Sequence, residues 1–190
     1  PRGFKDKHIR RRFKLSSGKD LVLHDVRKFG VVWYGPKKEV LSDRYFRTLG
    51  EDALKINFLK FKDLIKSKQG KIKSFLLNQK NLAGIGNIMA DEILWHAKIH
   101  PERNIKNLSD ANIKNLHASL KFILKKSIRL GGSTMRDWLH PDASEGGYFE
   151  KRFVYNREDK RCFRCKTKIS RKKIAGRSSY YCSRCQRLSG

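Results

Sequence analysis

The sequence predicts an α+β fold in three parts, on three observations. Apolar residues come in short β-branched and aromatic runs up to about residue 46, then switch to helical spacing from about Leu49 to Leu130. The four cysteines fall as two Cys-x-x-Cys pairs beyond residue 150. That same stretch holds 14 Lys/Arg, with Glu158 and Asp159 as its only acids. The boundaries that follow are 1–46 for a β-rich part, 47–150 for a helical part and 151–190 for a cysteine-bearing part.

In the first part, Ile9 to Leu15, Leu21 to Leu23 and Val31 to Tyr34 are the strand candidates, separated by Ser16-Ser17-Gly18, Gly30 and Gly35-Pro36. Three such strands cannot bury two faces alone, so the region reads as a piece of something larger. In the second part, Phe58, Phe61, Leu64 and Ile65 line one face of a helix ending near Gly70. Ile72, Phe75, Leu76 and Leu77 mark a second helix. A third spans about Asn87 to Lys98 with Ile88, Ile93 and Leu94 inward, and Pro101 limits its length. The fourth has Ser109 as N-cap, a stripe of Ile113, Leu116, Leu120, Ile123, Leu124 and Ile128, and Gly131-Gly132 as its stop.

Composition bounds the partner. A formal charge of +27 and a pI near 10.3 point to a polyanion, nucleic acid before anionic membrane. At 11% aromatic residues the chain is not plainly disordered, and no apolar run approaches the ~20 residues of a membrane span. The basic start lacks the apolar stretch of a secretory signal, so the cysteines read as metal ligands or free thiols before disulfides. A structural RNA-binding protein would show the same arithmetic.

Cys162-x-x-Cys165 and Cys182-x-x-Cys185 stand 16 residues apart. Zinc takes four thiolates in a tetrahedron, and each pair supplies two from one tight turn, while Lys166 to Tyr181 is long enough for a hairpin that joins them. Two redox pairs or local disulfides are the alternative. Four cysteines close the coordination shell, so the zinc is structural. Arg171, Lys172, Lys173, Arg177, Tyr180 and Tyr181 on that hairpin suit phosphate contacts.

Ala83-Gly84-Ile85-Gly86-Asn87 lies between two helices without a preceding strand, and Met89 occupies the third glycine position of a dinucleotide fingerprint. It can instead bring backbone N–H groups and the Asn87 amide to a helix start, an anion site. His96 and His100 read as surface histidines, Asp91 and Glu92 as helix-surface charges, and Met135 and Trp138 as packing residues.

Several segments together resemble the formamidopyrimidine-DNA glycosylase and endonuclease VIII family. These are Leu76-Leu77-Asn78-Gln79, Gly84 to Glu92, Ile99-His100-Pro101, Gly131 to Asp137, Val154-Tyr155-Asn156-Arg157 and the zinc segment with Gly176-Arg177. Asp25-Val26-Arg27-Lys28-Phe29-Gly30 resembles the family's Asp-Pro-Arg-Arg-Phe-Gly loop, and Lys7-His8 its Lys-His, which favours the formamidopyrimidine branch. The resemblance implies the C-terminal part of an N-terminal β-sandwich domain, a helix–two-turns–helix domain and a zinc-finger hairpin. It implies a bacterial, nucleoid-associated cytoplasmic monomer that excises oxidised purines from duplex DNA and cleaves abasic sites. It casts His8, Lys68, Lys73 and Asn87 as DNA contacts, and Arg27 and Phe29 as residues filling the space of a flipped nucleotide. Arg177 becomes a phosphate contact with a part in the second elimination, and the segment from Asp137 to Tyr148 a loop over the extruded base.

The sequence departs from the family at its start. Relatives begin Pro-Glu-Leu-Pro-Glu, whose proline amine is the nucleophile. Here Pro1 precedes Arg2-Gly3-Phe4 and aligns late in the N-terminal domain, so Pro1 is not expected to be the nucleophile. The expectation is a truncated sequence that binds DNA without full activity, with a non-catalytic damaged-DNA-binding protein or an RNA-binding zinc-ribbon protein as alternatives. Smaller departures are Val26 for proline, Asn156 for glycine, and Ala97-Lys98 for Ala-Gly.

Overall fold

The computed structural model describes residues 7–134 and 144–188, which divide into two compact units, 1–47 and 48–190. In the first unit, β1 (Ile9–Lys14) and β2 (Asp20–His24) form an antiparallel hairpin, closed through the Leu15 N–H donating to Lys19 O at 2.9 Å. The expected strand over Val31 to Tyr34 does not form. Those residues have no ladder partner among the described residues, and Trp33 instead stacks on Tyr45 at 5.1 Å and meets Phe46 at 5.0 Å. Two short helices that the strand pattern did not predict follow Pro36: α1 (Lys37–Ser42) and α2 (Arg44–Arg47). No described residue of this unit is buried.

The second unit carries the core. A two-residue strand β3 (Glu51–Asp52) leads to α3 (Phe58–Lys66), whose N-cap Asn57 accepts from the Lys60 N–H at 2.9 Å. After α4 (Ile72–Leu77), β4 (Leu82–Ala83) pairs in parallel with β3. Then come α5 (Asn87–His96), a 3-10 turn at Ile105–Asn107 and α6 (Asp110–Arg129). Ser109 caps α6 in a reciprocal box with Asn112, and Gly131 and Gly132 leave the helix with φ of +72° and +83°. The core joins Phe61, Ile65, Phe75, Leu76, Ile93, Leu94, Leu116, Leu120 and Ile123. Ile128, expected in this stripe, is 62% exposed, while its neighbour Ser127 takes the buried side of that turn.

α5 is central: Ala90 to Trp95 are all buried. Its C-terminal end enters a second cluster of Trp95, Val154, Cys162, Ile169, Tyr180 and Cys182. There β5 (Ser170–Ile174) and β6 (Arg177–Tyr181) form an antiparallel hairpin through Ala175 and Gly176, both with positive φ. Two left-handed central residues match the twist of the flanking strands.

Candidate nucleic-acid interface and metal centre

The four Sγ atoms lie within 4.8 Å of one another, with Cys162–Cys185 at 4.0 Å and Cys165–Cys182 at 3.4 Å. A tetrahedral zinc thiolate with ~2.3 Å bonds requires S–S edges of about 3.8 Å, so the donor set fits zinc. No disulfide links them. Each knuckle is preset by the backbone. Lys166 donates to Cys162 O at 3.0 Å and Gln186 to Cys182 O at 2.9 Å. The buried Gln186 side chain accepts from Cys182 N at 2.9 Å and donates to Ile99 O at 2.8 Å, tying the second knuckle to the turn after α5.

The hairpin is seated by charges inside the protein. Lys73 and Asp91 are fully buried and form an ion pair at 2.6 Å. Asp91 accepts from the Tyr180 N–H at 2.9 Å, and the Lys73 ammonium donates to Ser179 Oγ at 2.6 Å and Ser178 O at 3.1 Å. Burial lowers the Lys73 pKa and pushes Asp91 up to about 6, against the opposing pull of each on the other. On the outside, Glu102 takes Lys71 at 2.6 Å and Lys172 at 2.5 Å. Those two hydrogen bonds hold its carboxyl down to about 2.

The neighbouring Glu92 organises a different segment. Its carboxylate accepts from the backbone N–H of Phe153, Val154 and Tyr155 at 2.7, 2.8 and 3.0 Å, and from the Tyr148 hydroxyl at 3.1 Å. Four donors satisfy a charge that burial would otherwise penalise heavily.

The N-terminus of α5 faces the hairpin turn. Gly86 precedes it with no side-chain cap and no acid in the first turn, so backbone N–H groups remain for an anion. Asn87 Nδ2 donates to Ser178 O at 3.0 Å, while its Oδ1 is buried without a partner. Gln79 fixes the preceding glycine turn, accepting from Gly84 N at 3.0 Å and donating to Ile85 O at 2.8 Å. Arg177 is exposed at the first position of β6, next to Ser178.

Of the residues expected to meet DNA, Asn87 is bonded to Ser178, the neighbour of the exposed Arg177, and Lys68 is exposed in the turn after α3. Lys73 does not reach a surface: its side chain is 0% exposed and fully engaged, so it positions the hairpin instead of touching DNA. Asp91 and Glu92 are not surface charges, since α5 is wrapped on all sides. His100 is buried against Tyr181 at 4.6 Å, and His96 is half-buried, bonded to Ser119 Oγ at 2.8 Å. Tyr180 is buried at 5.1 Å from Tyr155, so it packs the finger and does not face solvent.

In the first unit, Asp25 accepts from the N–H groups of Arg27 and Lys28, both at 3.0 Å, and of Gly30. These bonds, Gly30 foremost, hold its carboxyl below the usual range. They project Phe29, 79% exposed, with the Arg27 guanidinium 5.6 Å from its ring. His8 is half-buried, 5.8 Å from the His24 ring. Pro1, Met135, Trp138 and residues 137–143 of the expected loop lie outside the described residues.

Lys98 and Asn156, the two positions where glycine was expected, have φ of +58° and +52°. The backbone demands left-handed geometry there whatever the side chain, and both residues accept it at some strain.

Residues 49–138 match the formamidopyrimidine-DNA glycosylase H2TH domain, and 159–188 the zinc finger found in FPG and IleRS. The chain is 39% identical over 178 residues to a formamidopyrimidine-DNA glycosylase of Pelotomaculum thermopropionicum, covering 93% of this chain and 64% of that protein. It is 39% identical over 184 residues to one of Desulforamulus reducens, covering 96% and 66%. The chain thus spans just under two thirds of these relatives. Among solved structures it resembles MutM (Fpg) of Thermus thermophilus, with a TM-score of 0.86, 32% identity, and 97% and 71% of the two chains covered. A Lactococcus lactis FPG mutant in complex with Fapy-dG-containing DNA gives 0.87, 35%, 96% and 68%. The matched domains, the four-cysteine zinc site and these relatives together establish that the chain belongs to the formamidopyrimidine-DNA glycosylase family.

Proposed function

We propose that this chain is the recognition part of a DNA glycosylase and abasic-site lyase acting on oxidised purines in duplex DNA. The observation that carries the reading is the hydrogen bond from Asn87 to the carbonyl of Ser178. It holds an open helix N-terminus against the residue that follows the exposed Arg177, so that two groups suited to phosphate stand close in the fold. Lactococcus lactis relatives bound to Fapy-dG-containing and abasic-site DNA support duplex DNA as the partner.

In this reading Asn87, Lys68 and His8 hold backbone phosphates, and Arg27 and Phe29 fill the gap left by the flipped nucleotide. A guanidinium and a ring on one carboxylate-tied loop suit that wedge. Arg177 neutralises the phosphate nearest the scissile sugar and assists its departure in the second elimination. The zinc supplies no chemistry; it folds the segment that presents Arg177. The protein works as a monomer in the bacterial cytoplasm, at the nucleoid.

The family reaction uses an amine that attacks the sugar C1′ and expels the base, giving a Schiff base that then loses the phosphates by elimination. In relatives that amine belongs to a Pro-Glu start, and Pro1-Arg2, aligned late in the N-terminal domain, is not proposed as its counterpart. In this reading residues 1–190 bind damaged DNA, and the attacking amine is assigned to none of them.

The test is an end-labelled duplex with one abasic site, incubated with the chain and borohydride, with binding titrations in parallel. Lesion-selective, strongly salt-dependent binding with no trapped adduct is expected. An adduct would place a lyase amine within this chain. Equal affinity for lesion-bearing and intact duplex would reject the recognition role.

A further inference from the structure

At the other end of α5 the chain builds a basic cavity of about 430 Å³, lined by Lys98, Arg103, Arg164, Arg184, Arg187 and the zinc ligand Cys185. No acidic side chain lines it. The nearest acid in sequence, Glu102, turns its carboxylate to Lys71 and Lys172 instead. Because α5 has ten residues, rising ~1.5 Å each, its two ends stand about 15 Å apart. This cavity is therefore separate from Asn87 and Arg177.

Its members are held in place by the fold. Arg164 donates to the last carbonyls of α5, Trp95 O at 2.6 Å and His96 O at 3.0 Å, and lies over the Trp95 ring at 3.9 Å. Gln186, between Arg184 and Arg187, is locked to Ile99 O and Cys182 N. The second knuckle thus presents its arginines against the turn that carries Lys98.

Surface cations are common in so basic a chain, and a solvated one requires no partner. Arg103 is different. Its Nε and Nη1 are buried and meet no hydrogen-bond acceptor among the described residues. A guanidinium N–H taken from water without an acceptor is costly, and an anion bound beside Arg103 would offset part of that cost. The metal centre does not account for the charge: four thiolates and a Zn²⁺ carry about −2, leaving a surplus of about three positive charges.

We infer that this cavity is a second anion site, taking closely spaced phosphates, as in a free oligophosphate or the backbone of a further nucleic-acid strand. The guanidinium forks of Arg103, Arg184 and Arg187 suit bidentate phosphate oxygens, with Lys98 and the carbonyl-bonded Arg164 adding positive charge beside them. The inference stands on residues that the proposed lesion-recognition surface does not use.

The test is calorimetric titration of the zinc-loaded chain with inorganic pyrophosphate, with zinc content checked afterwards. It compares wild type, the double variant Arg184→Ala/Arg187→Ala, and a charge-matched control, Lys114→Ala/Lys125→Ala, at exposed positions on α6. One-to-one binding weakened about tenfold or more in the first variant and little changed in the control is expected. Absence of saturable binding, or equal weakening in both variants, would overturn the site in favour of a diffuse counterion cloud. Repeating the titration with saturating duplex separates the sources. Retained pyrophosphate binding assigns the site to a free oligophosphate. Competition by duplex, with duplex binding itself weakened by Arg184→Ala/Arg187→Ala, assigns it to a nucleic-acid strand. Competition without that weakening would place the anion at the Asn87 surface and overturn the inference.

Discussion

The chain builds two antiparallel hairpins of similar size, and they are held in opposite ways. β1–β2 has no buried residue; its ladder is helped by an exposed Arg12–Asp20 pair at 2.5 Å. β5–β6 buries Ile174, Ser179 and Tyr180 and is tied to α5 by Asp91, to Glu102 by Lys172 and to the zinc site by the chain that follows β6. Strand-forming sequence is enough to write a hairpin, but tertiary polar contacts are needed to aim one. The residue proposed to meet DNA on β6, Arg177, is aimed by groups that never leave the interior.

Zinc removal should separate the hairpins most sharply. A chelator should unfold residues 159–188 and dissolve β5–β6, since structural zinc contributes on the order of 10 kcal/mol to such segments. Amide signals of β1–β2 should stay put. Equal loss at both would show that the first hairpin also depends on the metal.

Next in size is Asp91→Ala, which strands the Lys73 ammonium in the core and should cost about 3–5 kcal/mol in denaturant unfolding. The double change Lys73→Met/Asp91→Leu should recover most of that stability while leaving DNA affinity reduced. A double variant as unstable as the single one would mean that the pair is not the source of the cost.

Lys98→Gly and Ala175→Gly should each stabilise residues 48–188 by about 0.5–1 kcal/mol, because both native residues sit at positive φ. Asn156→Gly should do less, as Asn tolerates that region better. Thermal unfolding would show no gain if those turns relax.

Glu102 gives a smaller, pH-dependent effect. Its folded pKa is depressed from 4.5 to about 2, so its contribution is present above pH 4.5 and disappears as pH falls through 2. For surface pairs this is about 1 kcal/mol or less. Glu102→Gln should flatten the acid limb of the stability curve over that window. Smallest of all, Asp25→Ala should speed hydrogen exchange at Lys28 and Gly30 without shifting the unfolding of residues 48–188.

Much of the framework was legible in the sequence. Helical spacing located α3 to α6, Ser109 and Gly131-Gly132 bounded α6, and the Cys-x-x-Cys pairs located the metal centre. The hairpin's interior anchors were not legible, because a charge run on a helix ordinarily marks its wet side. A signal was present: Ile88, Met89, Ala90, Ile93 and Leu94 leave α5 no polar face on which Asp91 and Glu92 could lie. Lys73 was assigned to DNA by resemblance alone, and its burial is a property of Asp91 and Ser179, which meet it across the core. Val31 to Tyr34 has strand composition but pairs with no strand among the described residues.

The central claim is that Asn87 and Arg177 act as one phosphate clamp, because the interior holds the hairpin against α5. A double-mutant cycle of Asn87→Ala and Arg177→Ala, read as affinity for a duplex with one abasic site, tests it directly. The account predicts that each change weakens binding, that the two are coupled by about 1 kcal/mol, and that Arg177→Ala lowers the salt slope by about one. Strictly additive losses, or affinity unchanged by either substitution, would contradict it.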